Sequence, residues 1–196
     1  MARQRRSSMN RDQALTLLQE YTTNPALIKH ALAVEAAMRH YARLGGHDEE
    51  LWGAVGLLHD FDYERWPEPP DHSRKGAEIL RQRGVDEEIV TAVLSHATWN
   101  VEEFPRDTPL RKTLFAVDEL SGFVVACALV RPERLKGMTP KSVKKKLKTK
   151  AFAAAVSRED VNAGAELLEV PLADHITNCI TALQAIAGEL ELLPPE

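Results

Sequence analysis

Cysteine is nearly absent from this 196-residue chain. Cys127 and Cys179 lie far apart, so neither a disulfide framework nor a CxxC metal or redox motif can be read. Alternating apolar and polar runs of strand length are missing, as are internal repeats and low-complexity tracts, which removes sheet-based and solenoid architectures. No apolar run approaches the roughly 18 residues that span a bilayer. The leading MARQRRSSMNR is basic but lacks the apolar stretch of a secretory signal, so a cytoplasmic protein with no membrane partner is expected. No P-loop, GxGxxG or GxSxG motif occurs, which leaves out the common nucleotide cradles and the serine-hydrolase elbow.

What is present reads as helix. Helix starts recur as polar caps ahead of apolar-periodic segments, several of them followed by proline: Asn24-Pro25, Asp48, Asp86, Thr108-Pro109, Thr139-Pro140 and Ser157 with Asp160. Gly45-Gly46 and Gly84 stop two of the segments. A first helix is expected near residues 10–22 and a last one from about Pro171 to Leu193. The expected fold is all-α, a single helical domain of about eight to nine helices with no significant sheet. Its expected parts are an N-terminal helix (1–23), a helical core (24–130) and a C-terminal extension packed on that core (131–196).

Charge is unevenly spread. The net charge is -4, yet residues 131–158 carry ten Lys/Arg against one acid, leaving 15 basic and 28 acidic residues elsewhere. One basic segment (141–150) on an acidic body is not the pattern of a general nucleic-acid binder, and no aromatics interleave the lysines.

The stretch GLLHDFDYERW (56–66) sets an imidazole and a carboxylate side by side at the end of an apolar run. Asp118 poses a similar question. Its helical neighbours are Leu114, Phe115, Ser121, Gly122 and Val125, with no Lys or Arg within helical reach. A desolvated carboxylate needs a proton, a cation or a metal. Imidazoles and carboxylates from different helices can converge on an ion inside a bundle. Satisfied core histidines are the plainer alternative, and Glu119 shares the helical setting of Asp118. On spacing alone the chain carries a candidate buried His/Asp metal site and no more.

The ordered set His30, His59-Asp60, Asp118, with its flanks HALAVEAAMRHYA and GLLHD, resembles the H…HD…D signature of the HD-domain superfamily of metal-dependent phosphohydrolases. The likeness is nearest to HDIG-type bacterial proteins and covers roughly residues 25–128. It implies a metal held by His30, His59, Asp60 and Asp118. His72 in DHSRKGAEIL and His96 in VLSHAT resemble the two histidines added in branches with a dinuclear centre. One or two divalent ions (Fe, Mn, Co, Zn or Ni) are implied, activating water for attack at phosphorus. The chain departs from the cyclic-dinucleotide phosphodiesterase branch: Tyr63 replaces a phosphate-binding lysine, and no GYP motif follows. Asp62 and Glu64 are candidate proton carriers beside catalytic Asp60, with solvated loop acids as the alternative. Lys141, Lys144, Lys145 and Lys148 share one helical side and, with Arg158, are candidates for holding the phosphates of a small, nucleotide-like substrate. The alternative is a solvated face around Val143, Leu147 and Phe152. The same ligand set would also serve a mixed-valent di-iron oxygenase, or a non-catalytic metal-stabilised module that binds a nucleotide or protein. A homo-oligomer is compatible with all three. His175 reads as structural, and His40 and His47 as surface residues.

Overall fold

Asn10, Asn24, Asp48, Asp86, Thr108, Thr139 and Ser157 each accept a backbone N–H from the first turn of the helix that follows, satisfying donors that have no partner within the helix. A computed structural model describes residues 9–195, and over them the chain is helical with no strand. The helices are α1 (Arg11–Tyr21), α2 (Pro25–Gly45), α3 (Glu49–Leu58), α4 (Arg74–Gln82), α5 (Glu87–His96), α6 (Pro109–Leu129), α7 (Pro140–Leu147), α8 (Arg158–Leu167) and α9 (Leu172–Ala185), with a short 3₁₀ turn at Thr98–Asn100. None of them is long and apolar enough to cross a membrane.

The two 21-residue helices, α2 and α6, pack on each other at the centre. α3 lies along α2, α5 reaches both α3 and α6, and α8 and α9 close the far side. Residues from Ala14 to Leu192 share one apolar core, so the C-terminal helices are built into it. Gly56 sets the closest approach: a Cβ there would fall 2.7 Å from the Cα of Glu35, so only glycine lets α3 sit this near α2. Glu35 itself is buried, and its carboxylate takes Arg11 at 2.7 Å and Arg39 at 2.9 Å, tying α1 to α2.

Two ends differ from the sequence expectation. The apolar run LWGAVGLLHD reads as helix through Asp60, but α3 stops at Leu58, so the HD pair sits on the turn beyond it. α9 ends at Ala185, and residues 186–192 fold back through turns that bury Leu190 and Leu192.

Candidate metal centre

Four elements bring their histidines to one point. His30 lies in the second turn of α2, His59 caps α3, His72 precedes α4 and His96 ends α5. Three of these rings are held by an acceptor on Nδ1. His59 Nδ1 lies 2.8 Å from the Gly56 carbonyl, His96 Nδ1 2.5 Å from the Val93 carbonyl, and His72 Nδ1 3.1 Å from Asp62 Oδ1. Carbonyl and carboxylate oxygens only accept, so each Nδ1 carries the proton and each neutral ring presents its Nε2 lone pair.

Those Nε2 atoms face carboxylates and one another. His59 Nε2 is 3.2 Å from His30 Nε2, 3.5 Å from Asp60 Oδ2 and 3.4 Å from Asp118 Oδ1. His30 Nε2 is 3.1 Å from Asp118 Oδ1. On the other side, His72 and His96 Nε2 stand 3.2 and 3.0 Å from Asp60 Oδ1. Although both rings are that near, Asp60 Oδ1 is buried with no aligned hydrogen bond. Lone pairs this close to carboxylate oxygens repel unless a cation lies among them. The ligand atoms of His30, His59 and Asp60 lie within 4.8 Å of one another, as do those of Asp60, His72 and His96. Asp60 belongs to both groups, one oxygen turned to each. Nitrogen and oxygen donors so arranged fit divalent metal ions.

The same need for a cation shapes the titration of the metal-free protein. Burial works to lower His59, but Asp60 and Asp118 outweigh it and hold the ring well above its ordinary value. Burial also opposes charge on His72, and its contacts with Asp60 and Asp62 lift it to about 9. Burial would raise Asp60 and Asp118; the imidazoles around them hold both below the usual carboxylate range. For Glu119, burial with neighbouring Asp118 outweighs the Ser157 N–H and His30 and pushes it up to about 7.

Asp62 and Glu64 do not face this cluster. Asp62 is fully buried behind His72, one oxygen toward Nδ1 and the other accepting the Gly76 N–H at 2.8 Å. A Cβ at position 76 would lie 2.9 Å from that oxygen, so Gly76 makes room for the carboxylate. Asp62 is therefore a positioning residue for His72 and not a proton carrier open to substrate. Glu64 points to the outside and clamps the start of α2, accepting from the backbone N–H of Thr23 and Asn24 and from the Thr23 hydroxyl. Its carboxylate is held low by those hydrogen bonds.

The basic residues are also elsewhere. A cavity of about 430 Å³ opens onto the cluster, and neither the α7 lysines nor Arg158 lines it. Lys141, Lys144, Lys145 and Lys148 border a separate groove between α7 and Ala173. Arg158 spends its guanidinium on the carbonyls of Thr149, Phe152, Ala153 and Val156 and lies over the Phe123 ring. Those contacts tie the loop before α8 together. What the C-terminal part gives the cavity is Ala155, Val156 and Asp160.

Sequence reasoning missed Trp99, Phe115 and Asp160 in the cavity wall. The signal for Glu119 was present, since it follows Asp118 on the same helix. His175 is structural: Nε2 donates to the Ala116 carbonyl at 2.9 Å, and Nδ1 accepts the Tyr41 hydroxyl at 2.7 Å. His47 is exposed and stacks on Trp52, whereas His40 is half-buried beside Asn178 and not fully at the surface.

Residues 27–123 match the family model of the HD domain. The matched stretch holds all six clustered residues, His30, His59, Asp60, His72, His96 and Asp118. No solved structure matches the chain.

Proposed function

We propose that this HD-superfamily protein is a metal-dependent phosphohydrolase that cleaves a small phosphate ester at a two-ion centre. HD domains are typically metal-dependent hydrolases. The observation that carries the finer reading is the sharing of Asp60 between two His/Asp groups. His30, His59, Asp60 and Asp118 would hold one ion, and Asp60, His72 and His96 a second. Bound there, divalent ions supply an activated water and stabilise charge on the phosphoryl oxygens.

The chain's own part is preorganisation. The Gly56 and Val93 carbonyls and Asp62 hold three imidazoles by Nδ1, so an ion has only Nε2 protons to displace and little turning of the rings accompanies binding. Arg106 braces the end of α5 by donating to the Ser95 and His96 carbonyls, which locks the backbone that carries the His96 ring. Phe115 and Trp99 form apolar wall beside the ligands and limit the access of bulk water to the reacting group.

The experiment is phosphate release from a panel of phosphomonoesters by protein loaded with Mn²⁺, Co²⁺ or Fe²⁺. Release that disappears in Asp60→Asn and on chelation is expected. Protein with bound ions that releases phosphate from no ester in the panel would overturn the reading.

A further inference from the structure

The cavity over the metal cluster is poor in positive charge. Among the described residues no Lys or Arg lines it, while Glu119 and Asp160 do, in addition to the ligands Asp60 and Asp118. The guanidinium of Arg106, behind the cavity-lining Phe115, is already engaged: it sits 3.6 Å from the Phe115 ring centroid and donates to the Ser95 and His96 carbonyls.

Glu119 and Asp160 differ from the acids of the outer surface. Glu49, Glu87, Asp107 and Glu103 each hold an arginine within 2.8 Å. Among the described residues neither Glu119 nor Asp160 forms a salt bridge with a cationic side chain, and the cationic charge that Asp160 feels is that of Arg106, whose guanidinium hydrogen bonds to carbonyls. Glu119 accepts only the Ser157 N–H, at 3.1 Å, and the Asp160 carboxylate accepts no hydrogen bond there. Both are half-buried, where an unpaired negative charge is costlier than on an open surface. Across the same cavity stand aromatic faces. Trp99 and Tyr63 remain 44% and 39% exposed although they flank His72, with ring centroids 5.8 and 5.1 Å from the imidazole. Carboxylates and open aromatic faces are the two groups that attract an organic ammonium.

We infer that the ligand of this cavity is a phosphate ester bearing a cationic amine, its ammonium held by Glu119 and Asp160 and its phosphate at the His/Asp cluster. This rests on the phosphohydrolase reading and narrows it. A nucleoside polyphosphate would bring negative charges beyond those met at the His/Asp cluster toward Glu119 and Asp160, with no lysine or arginine lining the cavity to meet them. A cavity of about 430 Å³ suits a compact molecule.

The test uses the metal-loaded full chain and isothermal titration with O-phosphoethanolamine, ethyl phosphate and ATP. Phosphoethanolamine and ethyl phosphate differ by the ammonium alone. Phosphoethanolamine is expected to bind about tenfold tighter, the ratio of one partly desolvated ion pair. The ratio should fall toward one in Glu119→Gln and in Asp160→Asn, with metal content and melting temperature measured for each variant. Equal binding of the two esters, binding of neither, tighter binding of ATP, or a ratio unchanged in both variants would overturn the inference. Phosphate release is scored separately. An amine preference without release would sink the phosphohydrolase reading and leave the ligand class standing; release without an amine preference would do the reverse.

Discussion

Asp62 illustrates how one side chain sets the chemistry of another. Its two oxygens take the His72 Nδ1–H and the Gly76 N–H. In Asp62→Asn one of those positions becomes an amide NH₂ facing a donor, whichever way the group is turned. The expected relief is the opposite His72 tautomer, with the proton on Nε2 and no lone pair for an ion. Affinity for the second ion should fall about 10–100-fold while the first is kept, measured by Mn²⁺ titration with the melting temperature as control. Equal weakening of both sites would speak against a tautomer effect. The six clustered residues were legible because their order and flanks are linear features. The role of Asp62 was not, because it depends on a glycine fourteen positions on, which only the fold brings near.

His175 gives a pH dependence of its own. It is fully buried, and burial holds its folded-state value below the ordinary 6.5. As pH falls, the unfolded chain therefore takes up the proton first. The stabilisation is complete above 6.5 and is lost as pH drops through the depressed value. His175→Gln is expected to melt lower at pH 8 but to lose less between pH 8 and 5 than the parent. Parallel melting curves for the two would contradict this.

Helix starts were readable because caps are local. An Asn, Asp, Ser or Thr side chain and the backbone it binds lie within three residues of each other. Helix ends were less so, as α9 shows: residues 186–192 remain apolar enough to continue it, but Leu190 and Leu192 gain more by turning into the core. The packing of α3 on α2 carries the site, since one helix brings His30 and the other leads into His59-Asp60. Gly56→Ala would press a methyl group onto the Glu35 backbone. Separation of the helices should cost about 1–3 kcal/mol of stability, read from denaturant unfolding, and weaken metal binding in parallel. A variant with parental stability would show that this contact is not tight.

The uneven charge of the chain also changes meaning once it is folded. In the sequence, the lysine segment is the natural place to seek phosphate binding. In the fold, Lys141, Lys144, Lys145 and Lys148 border their own groove, and the cavity beside the His/Asp cluster is lined by acids and aromatics. Replacing all four lysines by alanine should leave kcat/KM for a small phosphate ester within about twofold of the parent, the scale of a screened field. A loss of tenfold or more would place the basic helix in the substrate path. Which helix faces share one cavity is settled by tertiary packing, and composition carries no record of it.

The most direct measurement is metal content per chain, by mass spectrometry of protein purified without chelator, for the parent, His72→Ala and Asp60→Asn. About two ions in the parent, one in His72→Ala and fewer still in Asp60→Asn would match a centre that shares Asp60. A parent that holds no metal even after reconstitution, or the same content in all three proteins, would contradict it.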